Sequence, residues 1–448
     1  MCPASALLDR GIGRCRVSLR SVLYVTPYYV PFVGGATTLV DAMARRLAGN
    51  GKAVTIVTTQ AEEAADLWRP APRDRHDRPT LEARDGVTIK RLGVTYPAPA
   101  PYVFGLLRRA GHWLHRTGLP PAVQRPLLRR LSRWMPPLPE LGTALDRLVP
   151  TADLVHAFDS SWDGLFTAAA AAAHRHRKPF VVTPLMHLGD TGIRAHFQMI
   201  HQVDVYRQAD AILALSHAEA AEYARLGAAP ERVHVIPMGV EPRPQEDNAV
   251  AAMAFRAKYP VDGPLVAFLG ANTYDKGAFT LALATAALNR AGIAVHVFYA
   301  GPQSAGLAAF LAQQPAAIRT ALQDRVRILG VVDEETKHQL LAACDMLALP
   351  SQVDTFGIVL LEAGLHGKPV IGAAAGGIPE VIRDGQTGLL VPFGDVAALA
   401  DAIRRLVEAP DRARQLGQAG RELVLREYTW DRTYGALTRV YADMLSSR

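Results

Sequence analysis

The chain has 448 residues, 49% of them hydrophobic, and its Lys+Arg 49 against Asp+Glu 42 leaves a net charge of +7. That length exceeds one ordinary core and suits two domains, while the charge favours anionic ligands, anionic membrane surfaces or nucleic acid without choosing among them. Cys2, Cys15 and Cys344 form no C-x-x-C or metal-ligand spacing, which argues against a disulfide framework or a zinc site and fits a reducing cytoplasm.

The opening "MCPASALLDRGIGRCRVSLR" carries scattered arginines without a sustained apolar core. No later stretch approaches the roughly 18 apolar residues of a membrane span, so a soluble, unexported chain is expected. Short β-branched runs then recur: "SVLYVT", "AVTIVTT", "GVTIKRL", "DLVHAF", "FVVTP", "AILALS" and "VHVIP". These read as buried parallel strands. Between them lie amphipathic segments such as "TTLVDAMARRLAGNG", where Leu39, Met43 and Leu47 share a face and Gly49 and Gly51 close the helix.

The pattern restarts with "PLVAFLG", "AVHVFYAG", "RVRILG", "DMLALP", "KPVIG" and "TGLLVP". The expected fold class is α/β, with two Rossmann-like, doubly wound parallel-sheet domains facing across a cleft. The expected boundaries are 1–240 and 241–427, with a hinge in the Pro-rich segment from Pro237 to Asn248.

Two insertions break the alternation. Trp68 to Arg84 reads as a charged loop without periodicity. From Gly86 to Pro139 there is no Asp or Glu, while arginines including Arg108, Arg109, Arg125, Arg129, Arg130 and Arg133 are interleaved with leucines, Trp113 and Trp134. Such a surface suits anionic lipid; equally, these helices could cover the first sheet and turn their arginines to water.

Three loop-to-helix junctions are candidates for chemistry. Gly34 and Gly35, after the first strand, either let backbone N–H groups approach a phosphate or simply make a tight turn, and G-x-G-x-x-G is not met. Gly270 leads through Asn272 to Lys276 and Gly277, a lysine placed to neutralise a diphosphate or simply exposed at the surface. "VDTFGIVLLEAGL" puts Asp354 before a helix, Phe356, Gly357 and Ile358 at its start, and Glu362 inside it. Carboxylates so separated cannot share a proton, but they suit a ligand with hydroxyls at both ends and a phosphate between, the shape of a sugar nucleotide. Asp354 as a helix cap and Glu362 as a surface charge is the alternative, less natural because Glu362 interrupts an apolar run.

These segments, with "ILALSHAEAAEYARLGAAPERVHVIPMGVEP" and "DGQTGLLVPFGD", resemble the retaining nucleotide-sugar glycosyltransferases of family four, which have the GT-B fold, from Val22 to about Leu445. The resemblance implies that Lys276 contacts the donor diphosphate, Glu362 the nucleotide ribose and Asp354 the sugar hydroxyls. The backbone at Phe356, Gly357 and Ile358 would cradle sugar and phosphate, and Gly35 would face the diphosphate. His187 matches a family histidine near the reacting sugar, and His156 is a candidate for lining the cleft. Ser216 and Glu219 read as a structural S-x-x-E capping box. The last segment, about 428–448, is expected to cross back to the first domain through Tyr434, Leu437, Tyr441 and Met444 on one helical face.

Two departures stand out. Ala271 replaces the family's arginine, and Asp354 is one methylene shorter than its glutamate. The resemblance implies metal-independent, retaining transfer of a hexosyl unit from a nucleoside diphosphate sugar to a lipid, saccharide or small-molecule hydroxyl. Asp354, His187 and Lys276 would be catalytic, without cofactor, metal or nucleic-acid partner, in a cytoplasmic protein able to sit on the inner face of a membrane. A phosphorylase or disaccharide synthase on the same scaffold, a nicotinamide-dependent oxidoreductase and a catalytically weak sugar-nucleotide binder are the rivals.

Overall fold

The β-branched runs are strands in the computed structural model, which describes residues 19–69, 80–96, 100–242 and 246–446. The first half supplies β1 (Ser21–Val25), β2 (Ala53–Thr59), β3 (Leu81–Arg84), β4 (Val87–Leu92), β5 (Leu154–Phe158), β6 (Phe180–Thr183), β7 (Ala211–Ala214) and β8 (Val233–Val235). They form one 8-stranded sheet in the order β3-β4-β2-β1-β5-β6-β7-β8, parallel except for β3. The second half supplies β9 (Leu265–Leu269), β10 (His296–Ala300), β11 (Val326–Gly330), β12 (Met346–Leu349), β13 (Val370–Ala373) and β14 (Gly388–Val391). Their 6-stranded parallel sheet has the order β11-β10-β9-β12-β13-β14. Helices cover both sheets, so every residue of central strands β5 and β9 is buried, and these strands read as unbroken apolar runs rather than alternations. The α/β fold is a GT-B fold, two mainly parallel sheets with helices.

Each sheet has a switch point where the strand order reverses, between β1 and β5 in the first and between β9 and β12 in the second. The loops leaving these strands at their carboxyl ends cannot all follow one helix layer, and they part to leave a crevice. All three candidate junctions leave β1, β9 or β12.

One expectation fails at the first sheet's edge. Residues 70–79 of the charged insertion lie outside the described residues, but Leu81–Arg84 is strand rather than loop, pairing antiparallel with β4. Asp85 and Gly86, at φ 51° and 77°, turn the chain between them. An Asp-Gly dipeptide is a strong hairpin signal, legible in the sequence but masked there by the charged surroundings. The hairpin places Glu82 beside the buried Arg91, whose guanidinium donates to Glu82 at 2.6 Å and to the Val30 carbonyl at 2.6 Å.

The segment from Pro237 to Asn248 is two structures rather than one uniform linker; residues 243–245 lie outside the described part. Before them, Val240 bridges to Thr429: the Val240 N–H donates to the Tyr428 carbonyl at 2.9 Å and the Trp430 N–H to the Val240 carbonyl at 3.3 Å. After them, helix Glu246–Lys258 has already begun. Helix Trp430–Ser446 then packs on the first sheet, with the Tyr441 hydroxyl 2.5 Å from His156 Nδ1 and 3.2 Å from the Tyr24 hydroxyl. His156 is therefore a core residue and does not line the cleft. Its Nε2 meets Thr183 at 2.8 Å, and burial drives its pKa well below the usual histidine range.

Candidate functional site

Three helices begin at the candidate junctions: α1 (Gly35–Gly49), Ala278–Arg290 and Ile358–Leu365. Each starts from a glycine, Gly34, Gly277 or Gly357; none has a side chain capping its N-terminus and none carries an acidic residue in its first turn. Elsewhere Asp190, Ser216, Asp333 and Asp395 cap helices with their side chains. At Gly35 and Ile358 the positive end of the helix dipole is thus not met by a side-chain cap and can face an anion, whereas the Ala278 N–H is already donated to the Thr273 carbonyl at 3.1 Å.

The second sheet supplies the charged centre. Lys276 Nζ lies 3.0 Å from Asp354 Oδ1, and Asp354 Oδ2 is buried without a hydrogen-bond partner. Burial pushes the Asp354 carboxyl up, but the Lys276 charge and hydrogen bonds outweigh it and hold it below the ordinary aspartate value. Asp354 is thus an anion with one oxygen satisfied by the lysine and the other left for a donor. At Gly277 (φ 81°) an added Cβ would stand 2.2 Å from the Pro350 carbonyl oxygen, so only glycine lets the two loops touch.

His187 follows β6 of the first sheet and completes the centre from across the cleft. Its Nδ1–H donates to the Val353 carbonyl at 2.5 Å and reaches Thr355 Oγ1 at 3.1 Å, leaving Nε2 as the acceptor. Burial first, and then the Lys276 charge, lower its pKa, so the ring is neutral. Glu219 holds the backbone beside it. Its Oε1 accepts from the Met186 N–H at 2.8 Å and also from the Tyr223 hydroxyl, while Oε2 accepts from Leu215 N–H at 2.7 Å. The expected capping box is therefore only half present: Ser216 Oγ accepts from Glu219 N–H at 3.1 Å, but the carboxylate reaches back to Leu215 and Met186 instead of Ser216. Burial raises the Glu219 carboxyl to about 7.

The other predicted residues fall around this centre. Glu362, four residues into the Ile358 helix, pairs with Lys337 at 2.7 Å. Phe356 and Gly357 are buried, and Ile358 is half-buried at the helix start. At Gly35 a Cβ would meet nothing within 4 Å, so the space over α1 is open. Gly270 has φ 150° and ends β9. The Asn272 side chain is turned inward, its amide donating to the Gly301 carbonyl at 3.2 Å and to Ser304 at 3.0 Å, so its visible contribution is to brace the loop after Gly270. The sequence reading missed Asp159, which follows β5 at the first switch point with φ 59° and accepts from Ser161 N–H at 3.0 Å. Burial raises its carboxyl pKa, and it faces the His187 ring electrostatically. A strand ending in Asp-Ser-Ser was its only signal.

Comparison with known proteins gives the family and the fold. Residues 33–243 match the family model described as Glycosyltransferase Family 4, and residues 252–423 match Glycosyl transferases group 1. The chain belongs to the group 1 glycosyltransferases. A D-inositol 3-phosphate glycosyltransferase from Xylanimonas cellulosilytica is 32% identical over 258 residues, 56% of this chain and 61% of that protein. An alpha-maltose-1-phosphate synthase from Mycolicibacterium smegmatis is 34% identical over 238 residues, 50% and 60% of the two chains. The chain thus spans about three fifths of the length of these curated relatives. Among solved structures, Anabaena Alr3699/HepE in complex with UDP superposes with a TM-score of 0.68 at 18% identity, covering 94% of this chain and 100% of that one. The sucrose-phosphate synthase of Thermosynechococcus elongatus gives 0.69 at 21% identity, covering 96% and 100%. Both share the fold of this group 1 glycosyltransferase.

Proposed function

We propose that the protein transfers a hexosyl unit from a nucleoside diphosphate sugar to a hydroxyl acceptor with retention of the anomeric configuration. The observation that carries this reading is the Lys276–Asp354 pair, with its unpartnered buried oxygen, beside uncapped helix N-termini and a neutral His187. A diphosphate would lie against Lys276 and the N–H groups at Ile358, the sugar hydroxyls would donate to Asp354 Oδ2 and His187 Nε2, and the ribose hydroxyls would reach Glu362. A relative named alpha-maltose-1-phosphate synthase, and a fold neighbour solved with UDP-glucose, support a nucleotide-sugar donor.

The step breaks the bond between the anomeric carbon and the diphosphate oxygen and forms one from that carbon to the acceptor oxygen. The acceptor proton goes to the departing phosphate on the same face. Lys276 and the helix N-terminus stabilise the charge that develops as the diphosphate leaves, the role for which prearranged cations and N–H groups are most effective. This scheme calls on side chains and backbone rather than a metal to meet that charge.

Thermal shift with UDP, GDP, ADP and NAD tests the reading. A nucleotide at about a hundredfold its dissociation constant stabilises the fold by roughly 2.7 kcal/mol, a shift of a few degrees. A response to one diphosphate is expected, lost in Lys276→Ala; a response to NAD alone would replace the reading with the oxidoreductase. Asp354→Asn should keep the nucleotide shift and lose at least about a hundredfold in turnover. Normal turnover in that variant would remove Asp354 from the mechanism.

A further inference from the structure

The acid-free segment folds into α2 (Ala100–Arg116) and α3 (Pro121–Ser132), and their packing separates the two readings that the sequence left open. If these helices only covered the first sheet, their apolar side chains would face it and their arginines would face water. Instead, Tyr102, Leu106 and Trp113 of α2 are 75%, 63% and 68% exposed, and on α3 and just beyond it Val123, Leu127 and Trp134 are 45%, 38% and 51% exposed. Their spacings, 102-106-113 and 123-127-134, make a single outward stripe on each helix. Patches of this kind on a protein surface mark interaction sites.

The charges point to the partner. Arg125 and Arg129 are held by Asp204 at 2.9 and 3.4 Å, which fixes α3 to the domain. Arg109, Arg116, Arg130 and Arg133 are exposed beside the apolar stripes, and no acidic residue occurs between Gly86 and Pro139 to pair with them. Between the helices runs a groove of about 450 Å³ lined by Val103, Leu107, Leu114, Leu131 and Trp134, with Arg130 as its one charged lining residue. Exposed tryptophans and leucines interleaved with exposed arginines, over a groove able to take a hydrocarbon chain, complement a layer of anionic headgroups above acyl chains.

We infer that the α2–α3 face docks on an anionic lipid bilayer. On the inner side of α2 a run of packed aromatic rings leads from this helix to the loop at the candidate cleft. Phe104 of α2 lies 5.5 Å from Trp162, Trp162 lies 6.4 Å from Tyr28, and Tyr28 stacks at 4.1 Å on Phe32, two residues before Gly34. The inference stands on the surface alone and does not depend on the transfer reaction.

Flotation of the full chain with phosphatidylcholine vesicles, with and without about a third phosphatidylglycerol, tests it at about 0.05 M and about 0.5 M salt. Binding at least about tenfold tighter to the anionic vesicles, and weakened by salt, is expected. It should fall about tenfold or more in the Arg109→Gln/Arg130→Gln/Arg133→Gln variant and in Leu106→Ser/Trp113→Ser, both with melting temperatures near that of the unaltered chain. Equal affinity for neutral and anionic vesicles, or no binding to either, overturns the inference with the unaltered protein alone. A stable homodimer in light scattering that Leu106→Ser/Trp113→Ser dissociates would overturn it in favour of a second copy. The nucleotide-induced thermal shift is read separately, so loss of membrane binding and failure of the donor reading are distinguishable.

Discussion

His187 carries a protonation state that can be checked. Its ring is buried, Lys276 adds positive charge nearby, and Nδ1–H is committed to Val353, so the neutral form persists below the ordinary histidine value. The unfolded chain takes up a proton near pH 6.5 and the folded chain does so only at lower pH, so folded stability rises with pH across that window and is lost as pH falls. Turnover is expected to stay flat from pH 8 down through about 6.5 and to drop only below it. A pH–rate profile with a single inflection at the ordinary histidine value, absent in His187→Asn, would show that the ring titrates freely and that its buried bond to Val353 does not persist in solution. At this scale the sequence singled out Lys276 and Asp354 separately, and their 3.0 Å pairing was not part of that reading. It was silent where the role depends on distant partners. Nothing near His156 in the chain announces Tyr441, 285 residues away, and nothing near Glu219 announces Met186.

At the scale of elements, strands were legible because burial on both faces forces continuous β-branched runs, and β3 was not, because an edge strand answers to its hairpin turn more than to hydrophobicity. The helix Trp430–Ser446 shows the same contrast. Its apolar face was readable from Leu437 and Tyr441, but the polar brace it makes to the first sheet was not. Tyr441→Phe would leave the buried His156 Nδ1 and Tyr24 hydroxyl without their common partner. A loss of about 1–3 kcal/mol is expected, read as a lower midpoint in urea unfolding with an unchanged slope. An unchanged midpoint would mean that the brace contributes nothing.

For the whole molecule, the two sheets meet through backbone as well as side chains. Gly189 of the first half packs so tightly on the second that an added Cβ would lie 1.6 Å from the Gln352 carbonyl oxygen, two residues before Asp354. Gly189→Ala is therefore expected to hold the halves apart, with little change in melting temperature but a larger radius of gyration in X-ray scattering. Turnover should fall at least about tenfold, since closure assembles His187 over Asp354. Full activity would show that the contact is dispensable.

The paired passage at Val240 and Thr429 carries a consequence of another kind. The chain enters and leaves its second half at adjacent, hydrogen-bonded positions, so that half is a cassette whose two ends lie together. Because the ends of that cassette lie side by side, recombination can exchange it whole. An exchanged half would still have to reproduce the close approach of Gly189 to Gln352 and the His187–Val353 bond, which join the half that bears Lys276 and Asp354 to the half that bears the α2–α3 face.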